Sequence, residues 1–363
     1  MPFNLFPILW RLLLLRMNKL LNFHYFFRNF TCNSPTVFAK INIEIRGSRI
    51  YFSVKIRTTF VYYEQRRGWM KLVTFLAEGK ELVGVRSEDG RYYYPISALG
   101  LNYRDMNELV DCITDTERGR LAAGVANGCA EKFSSGAVKL CAPIPIPKQD
   151  LICLGENYMD HAKESFRYQN TAFDGERPHA AYFGKRVNRA VTDGDSICSH
   201  AGFTERLDYE AELAVVIGKD ADNVSEADAL DYVFGYMAAN DVSARDIQYR
   251  YAHPYFGKSL NGFAVLGPWL VTADEIPGIP ALRIQSWVNG EARQDGNTSQ
   301  MIFQIPHIIS ELSHGFTLKA GSIILTGTPA GVGMGYTPPR FLQPGDLVEC
   351  CVEGLGSLKN RVE

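Results

Sequence analysis

Cysteine is sparse and unpatterned: the 363 residues hold eight, at positions 32, 112, 129, 141, 153, 198, 350 and 351, with no C-x-x-C and no compact cysteine-rich module. This excludes a small disulfide scaffold and suits reduced thiols in a cytoplasmic protein. Long apolar runs are absent too. The nearest approach, FPILWRLLLLRM, is broken by Arg11 and Arg16 and is followed by no small-residue cleavage site, so neither a membrane anchor nor a secretory signal is expected. Net charge is nearly absent, with 38 Lys and Arg against 40 Asp and Glu, which argues for neither nucleic acid nor an anionic membrane as a partner. Nucleotide motifs fail as well. FGKSL at 256–260 ends like a phosphate-binding loop, but Ala252 stands where its first glycine belongs and Pro254 interrupts it. GTPAGVGMG at 327–335 is glycine-rich without the strand–helix pattern and later acid of a dinucleotide site. No internal repeat or low-complexity tract is present.

One shortage is local. Residues 1–69 contain two acids, Glu44 and Glu64, against 11 Lys and Arg, a balance of +9 that leaves 27 − 38 = −11 for the remainder, and only Gly47 and Gly68 of the 32 glycines. Such a segment could be a targeting peptide, an anchor or residues that are never translated. A presequence would be basic and acid-poor, as here, but no clean amphipathic helix is present and β-branched runs such as INIEIRGSRIYFSVKIRTTF intervene. Arg66-Arg67-Gly68 can be encoded by AGG-AGG-GG, a ribosome-binding purine run just upstream of a Met70 codon. Residues 1–69 are therefore expected to lie outside the mature fold, with the working chain starting at Met70.

What remains is ordinary for a globular enzyme, at 46% hydrophobic and 21% charged. From Met70, short apolar runs bounded by Glu78-Gly79 and Asp89-Gly90 predict an antiparallel meander. MNELVDCITDTERGRLAAGVA has helical spacing, and the proline-interrupted CAPIPIPKQD marks a boundary, giving a small β-rich domain over 70–145 and a catalytic domain over 146–363. The second part mixes strands such as ELAVVIG and SIILTG with short helices, among them SEADALDYV, and lacks regular strand–helix alternation. An α+β, mostly β fold is expected.

Within LDYEAELAVVIG, Asp208, Glu210 and Glu212 alternate and so share one strand face. Exposed, they would be a solvated edge; buried, they would recruit a cation, and a hard-oxygen set calls for a divalent metal. Asp241, in AANDVSARDIQ, adds a third hard ligand to Glu210 and Glu212, although a helix N-cap role is its alternative. Arg245 and Gln248 follow at helical spacing. His161 and Glu164 stand one helical turn apart, where a carboxylate can orient an imidazole, or simply form a surface ion pair. Lys258 by default would be exposed, and Thr328 would serve a turn.

In this order and spacing, GENYMDHAKE, LDYEAELAVVIGKD, AANDVSARDIQ, FGKSLNGFAVLGPWLV, VNGEARQDGNTSQMIF and ILTGTPAGVG closely resemble the fumarylacetoacetate hydrolase family, from about Met70 to the C-terminus. The resemblance implies a mixed β-sandwich or roll behind a small N-terminal domain, and a homodimer. It implies Mg²⁺ or Mn²⁺ on Glu210, Glu212 and Asp241, with Asp208 supporting them. It assigns His161 and Glu164 to a base dyad on a mobile lid and Lys258 to the metal-proximal pocket. Tyr158, Arg245, Gln248 and Thr328 become contacts to a small 2-oxo or dioxo acid. Phe166, Tyr168, Phe173, Tyr182 and Lys185, in the stretch 165–185, are candidates to line the lid. The reaction preferred on this basis is hydrolysis of a C–C bond in acylpyruvates, with His161 activating water and Lys258 facing the oxyanion. The same apparatus without a placed water would be a tautomerase, an isomerase or a decarboxylase of 2-oxo dicarboxylic acids such as oxaloacetate.

Overall fold

The computed structural model describes residues 39–46, 49–56, 70–128 and 131–363. The chain forms two compact units, Met1–Gln65 and Arg66–Glu363. In the first, Ala39–Arg46 and Arg49–Ile56 pair antiparallel. The expectation of a start at Met70 otherwise turns on residues outside the described ones.

In the second unit, Glu78 and Gly79 both take positive φ, 51° and 76°, the two-residue turn whose twist matches that of its strands. They fold Lys71–Ala77 back onto Lys80–Arg86, which pairs in turn with Tyr92–Pro95. The meander does not stand apart from the rest: Leu72 and Lys71 pair with Leu270 and Val271 of Ala264–Thr272. From that junction the sheet continues through Val233–Asp241, Ala211–Ile217, Ile323–Leu325 and Leu151–Gly155 to Ala181–Lys185. Only Ile323–Leu325 beside Leu151–Gly155 is parallel among these pairings.

Both faces of this sheet are buried, and the period-2 alternation sorts side chains between two cores. Leu213, Val215 and Ile217 join one core with Ile284, Val348 and Val352 of a second, four-stranded antiparallel sheet, and with Ile305, Ile308 and Ile309 of the helix Ile305–Gly315. Ala214 and Val216 join the other, with Met106, Leu109 and Leu121. The result is the strand-rich α+β architecture expected. Two local readings change. The stretch from Met106 forms two helices, Met106–Cys112 and Asp115–Asn127, because Thr114 and Glu117 close a capping box: Thr114 Oγ1 accepts from Glu117 N at 3.3 Å and Glu117 Oε2 accepts from Thr114 N at 2.9 Å. SEADALDYV makes only a 3₁₀ turn at Ala229–Tyr232. Among the described residues no helix is long and apolar enough to cross a membrane.

Candidate active site

The acid stretch is not one strand. Leu207–Asp208 pairs with Ser243–Ala244, and Ala211–Ile217 begins after a break at Tyr209 and Glu210. At the break Glu210 N is satisfied by Asn240 Oδ1 at 2.9 Å and Glu210 O accepts from Asp241 N at 2.8 Å. Asp208, Glu210, Glu212 and Asp241 are all at least 96% buried, which excludes the solvated edge. Asp241 ends the strand Val233–Asp241, and the residue preceding helix Arg245–Arg250 is Ala244, so Asp241 is not that helix's cap.

Glu210, Glu212 and Asp241 each offer a carboxylate oxygen, all within 4.8 Å of one another. Three cations surround them. Lys258 Nζ donates to Glu210 Oε2 at 2.6 Å and to Asp241 Oδ2 at 2.7 Å. Lys185 Nζ donates to Asp241 Oδ1 and to Val242 O. Arg245 donates through Nε to Asp208 Oδ2 at 2.9 Å and places Nη2 2.7 Å from Glu210 Oε1. Burial alone would raise the Glu210 carboxyl, but Lys258 and Arg245 outweigh it and hold the group well below the usual range. Glu212 goes the other way. Burial first, then the charges of Asp241 and Glu210, push it well above the usual carboxylate range, and its one hydrogen bond is from Gly327 N at 2.8 Å.

With all groups ionised, four carboxylates against three cations leave 3 − 4 = −1, concentrated on the acid that has no cationic partner. A divalent cation fits that deficit and brings the cluster to +1, and an all-carboxylate donor set is what Mg²⁺ or Mn²⁺ takes.

The glycine-rich loop after Thr328 holds carboxylates, though they are the protein's own. Gly333 N and Met334 N donate to Asp208 at 2.6 and 3.0 Å, and Gly331 N donates to Glu164. A Cβ on Gly333 would lie 2.6 Å from Asp208 Oδ1, and one on Gly335 2.5 Å from Glu164 Cδ. Asp208 thereby fixes Arg245, and Glu164 anchors the helix Met159–Tyr168.

His161, on that helix, is 4% exposed, and its Nδ1 has no hydrogen-bond partner; Glu164 Oε2 stands 3.6 Å away, an electrostatic distance. The surface ion pair is excluded by burial. His161, Glu210, Arg245, Gln248, Lys258 and Thr328 line one cavity of about 290 Å³. Glu212 and Asp241 complete the triad, and Glu164 stands beside His161. Thr328 Oγ1 donates to Ala211 O at 2.8 Å and accepts from Gln294 Nε2 at 2.6 Å, so its proton is engaged by the fold. Tyr158 is buried without a partner for its hydroxyl, which burial and then the Glu212 charge push up.

Of the lid candidates, Tyr182 lines the cavity. Phe166 and Phe173 pack with their rings tilted, centroids 4.9 Å apart, in a separate open hollow, and Tyr168 packs on Tyr249. Lys185 is wholly buried under Asp241, a position its place in an aromatic loop-to-strand stretch did not signal. Sequence reasoning also missed the cavity-lining pair Glu156 and Arg177, which has no spacing signal because 21 residues separate them.

Comparison with known proteins places these features. The model of the fumarylacetoacetate (FAA) hydrolase C-terminal family matches residues 150–363. The oxaloacetate tautomerase YisK of Bacillus subtilis is 46% identical over 231 residues, covering 63% of this chain and 75% of that one. A fumarylacetoacetate hydrolase structure from psychrophilic Exiguobacterium antarcticum superposes with a TM-score of 0.67 at 34% identity, covering 81% of this chain and 99% of that one. A maleylpyruvate hydrolase from Sphingobium sp. SYK-6, solved with manganese(II) and pyruvate, gives 0.63 at 28% identity over 81% and 98%.

Proposed function

The chain belongs to the fumarylacetoacetate hydrolase family, and on that premise we propose that it is a divalent-metal-dependent tautomerase of small 2-oxo acids, of the oxaloacetate type. The observation that carries this is the buried His161, whose Nδ1 is unpaired, lining the same cavity as Glu210 of the carboxylate triad. Glu164 is anchored to Gly331 N, 3.6 Å from that ring, and the pair is a base with a nearby countercharge and no hydrogen-bonded relay. Such a base suits shuttling one proton between carbon and oxygen. The 46% identity to an oxaloacetate tautomerase supports the same choice over the hydrolysis preferred from sequence.

Glu210, Glu212 and Asp241 would hold Mg²⁺ or Mn²⁺, which when bound supplies a Lewis acid for the carboxylate and 2-oxo oxygens of the substrate and for developing enolate charge. This chain's residues do the rest. His161 accepts the proton leaving C3, and Glu164 stabilises the resulting imidazolium. The same proton is delivered to the enol oxygen, or returned to C3 in the reverse direction. Lys258 and Arg245, fixed by buried carboxylates, keep positive charge at the site through that change without reorganising. A homodimer belongs to this reading and is checked by sedimentation.

Hydrolysis of acylpyruvates is the second reading, supported by the maleylpyruvate hydrolase likeness. A Mn²⁺-dependent ultraviolet assay on oxaloacetate and acetylpyruvate, with pyruvate quantified at the end, separates the two. Fast relaxation of enol absorbance with the acid intact is the expected result; pyruvate released from acetylpyruvate would establish the hydrolase. His161→Ala is expected to lower either rate by about 10²–10⁴-fold while leaving stabilisation by Mn²⁺ in place.

A further inference from the structure

One cationic group lines the cavity without touching the metal-site acids. Arg177, in the segment between helix Met159–Tyr168 and strand Ala181–Lys185, has a side chain only 13% exposed. Its Nη1 donates to Glu156 and its Nη2 to Gly155 O at 3.4 Å, leaving Nε–H buried and without a partner. Glu156 holds its position at φ 52°, a left-handed conformation uncommon for a residue with a Cβ. Both residues line the cavity.

The strand pairing separates this arginine from the metal end. Leu151 pairs with Lys185, which reaches Asp241, whereas Gly155 pairs with Ala181. Gly155 and Ala181 lie four residue steps along this strand pair from Leu151 and Lys185. Cationic side chains therefore line the cavity at two places: Lys258 and Arg245, paired with acids of the triad, and Arg177, paired with Glu156, beside Gly155.

We propose that Arg177 is a specificity-determining residue whose guanidinium receives the distal carboxylate of a 2-oxo dicarboxylate at the cavity wall, with Glu156 and Gly155 O fixing its position. This rests on the reading of the cavity as a 2-oxo acid site and adds which acids it prefers. A largely buried guanidinium gains a charge-assisted acceptor from a carboxylate and none from a neutral tail. The discrimination thus comes as much from the cost of the wrong ligand as from the attraction of the right one.

Oxaloacetate and acetylpyruvate test this cleanly, because they differ only in whether the far carbonyl carbon carries O⁻ or CH₃. Binding of each to the full-length, Mn²⁺-loaded protein is measured by titration alongside turnover, for the native chain, Arg177→Met and Arg177→Lys. The expected result is a loss of about 10- to 100-fold in oxaloacetate affinity in Arg177→Met, a smaller loss in Arg177→Lys, and acetylpyruvate binding within about threefold throughout. Retained acetylpyruvate binding also shows that the variants fold. Oxaloacetate affinity unchanged in Arg177→Met, or both ligands weakened alike, overturns the proposal. If the native chain binds both acids and turns over neither, the proposed reaction falls, while loss of discrimination in Arg177→Met still upholds the role of Arg177.

Discussion

Glu212 is the residue on which the charge balance of the site turns. Its carboxylate faces Asp241 and Glu210 in a buried setting, with a single backbone N–H in support. In the metal-free protein this like-charge crowding is unfavourable, so Glu212→Gln is expected to raise the melting temperature in chelator. The same change removes a ligand, and stabilisation by Mn²⁺, about 2.7 kcal/mol at one hundred times the Kd, is expected to disappear. Paired melts in EDTA and in Mn²⁺ read both effects; a Glu212→Gln protein still stabilised by Mn²⁺ like the native chain would falsify the ligand role. Asp208 differs although it belongs to the same alternating series. It accepts from Arg245, Tyr209 N, Gly333 N and Met334 N, so its lone pairs are taken by the fold.

At the level of elements, the helix carrying His161 is positioned by its contact with the glycine-rich loop. Gly335→Ala would drive a Cβ into the Glu164 carboxylate, which is pinned at Gly331 N. Overpacking of this kind costs about 1–3 kcal/mol, and the displacement of Glu164 from His161 is expected to lower kcat by tenfold or more. Thr114→Ala makes the contrasting case. It removes the capping box of Asp115–Asn127, remote from the cavity, and should cost about 1 kcal/mol in denaturant melts with turnover unchanged. The 3₁₀ turn Ala273–Glu275 supplies a pH dependence. Burial, opposed by Lys71 and aided by Asp274, raises the Glu275 carboxyl from 4.5 to about 7. A folded-state value above the unfolded one means that the folded chain keeps a proton the unfolded chain releases. The contribution of this group is therefore complete below pH 4.5 and lost as pH rises through 7. Melts of Glu275→Gln against the native chain should converge near pH 4 and favour the variant near pH 8; an equal difference at both pH values would count against the assignment.

For the whole molecule, Arg66–Glu363 forms its own compact unit that contains the triad, the cavity and both cores. Met70, 3% exposed, lies within that core, and its carbonyl accepts from Thr272 N. A chain beginning at Met70 is expected to match the full chain in Mn²⁺ stabilisation and in turnover. Lower values for both in the shorter chain would assign residues 1–69 a part in the fold. The intact mass of protein from its native source decides where translation starts.

The sequence by itself brought Asp208, Glu210 and Glu212 forward as a group of candidate acids through their alternation, although the break at Tyr209 and Glu210 sets Asp208 on a separate strand. It determined the strand-rich class, because the apolar runs are short and turn-bounded, and the helix break at Thr114, because T-x-x-E is a local signal, although periodicity across the break obscured it. Burial, partners and charge balance were decided only by the tertiary structure. Lys258 and Lys185 have the composition of surface residues and become buried counter-ions because strands distant in sequence bring Asp241 and Glu210 to them. Arg177 and Glu156 meet only when Gly155 pairs with Ala181. The division follows from range: side-chain direction is a property of the local backbone, whereas the stability of a buried charge depends on whatever long-range pairing places beside it.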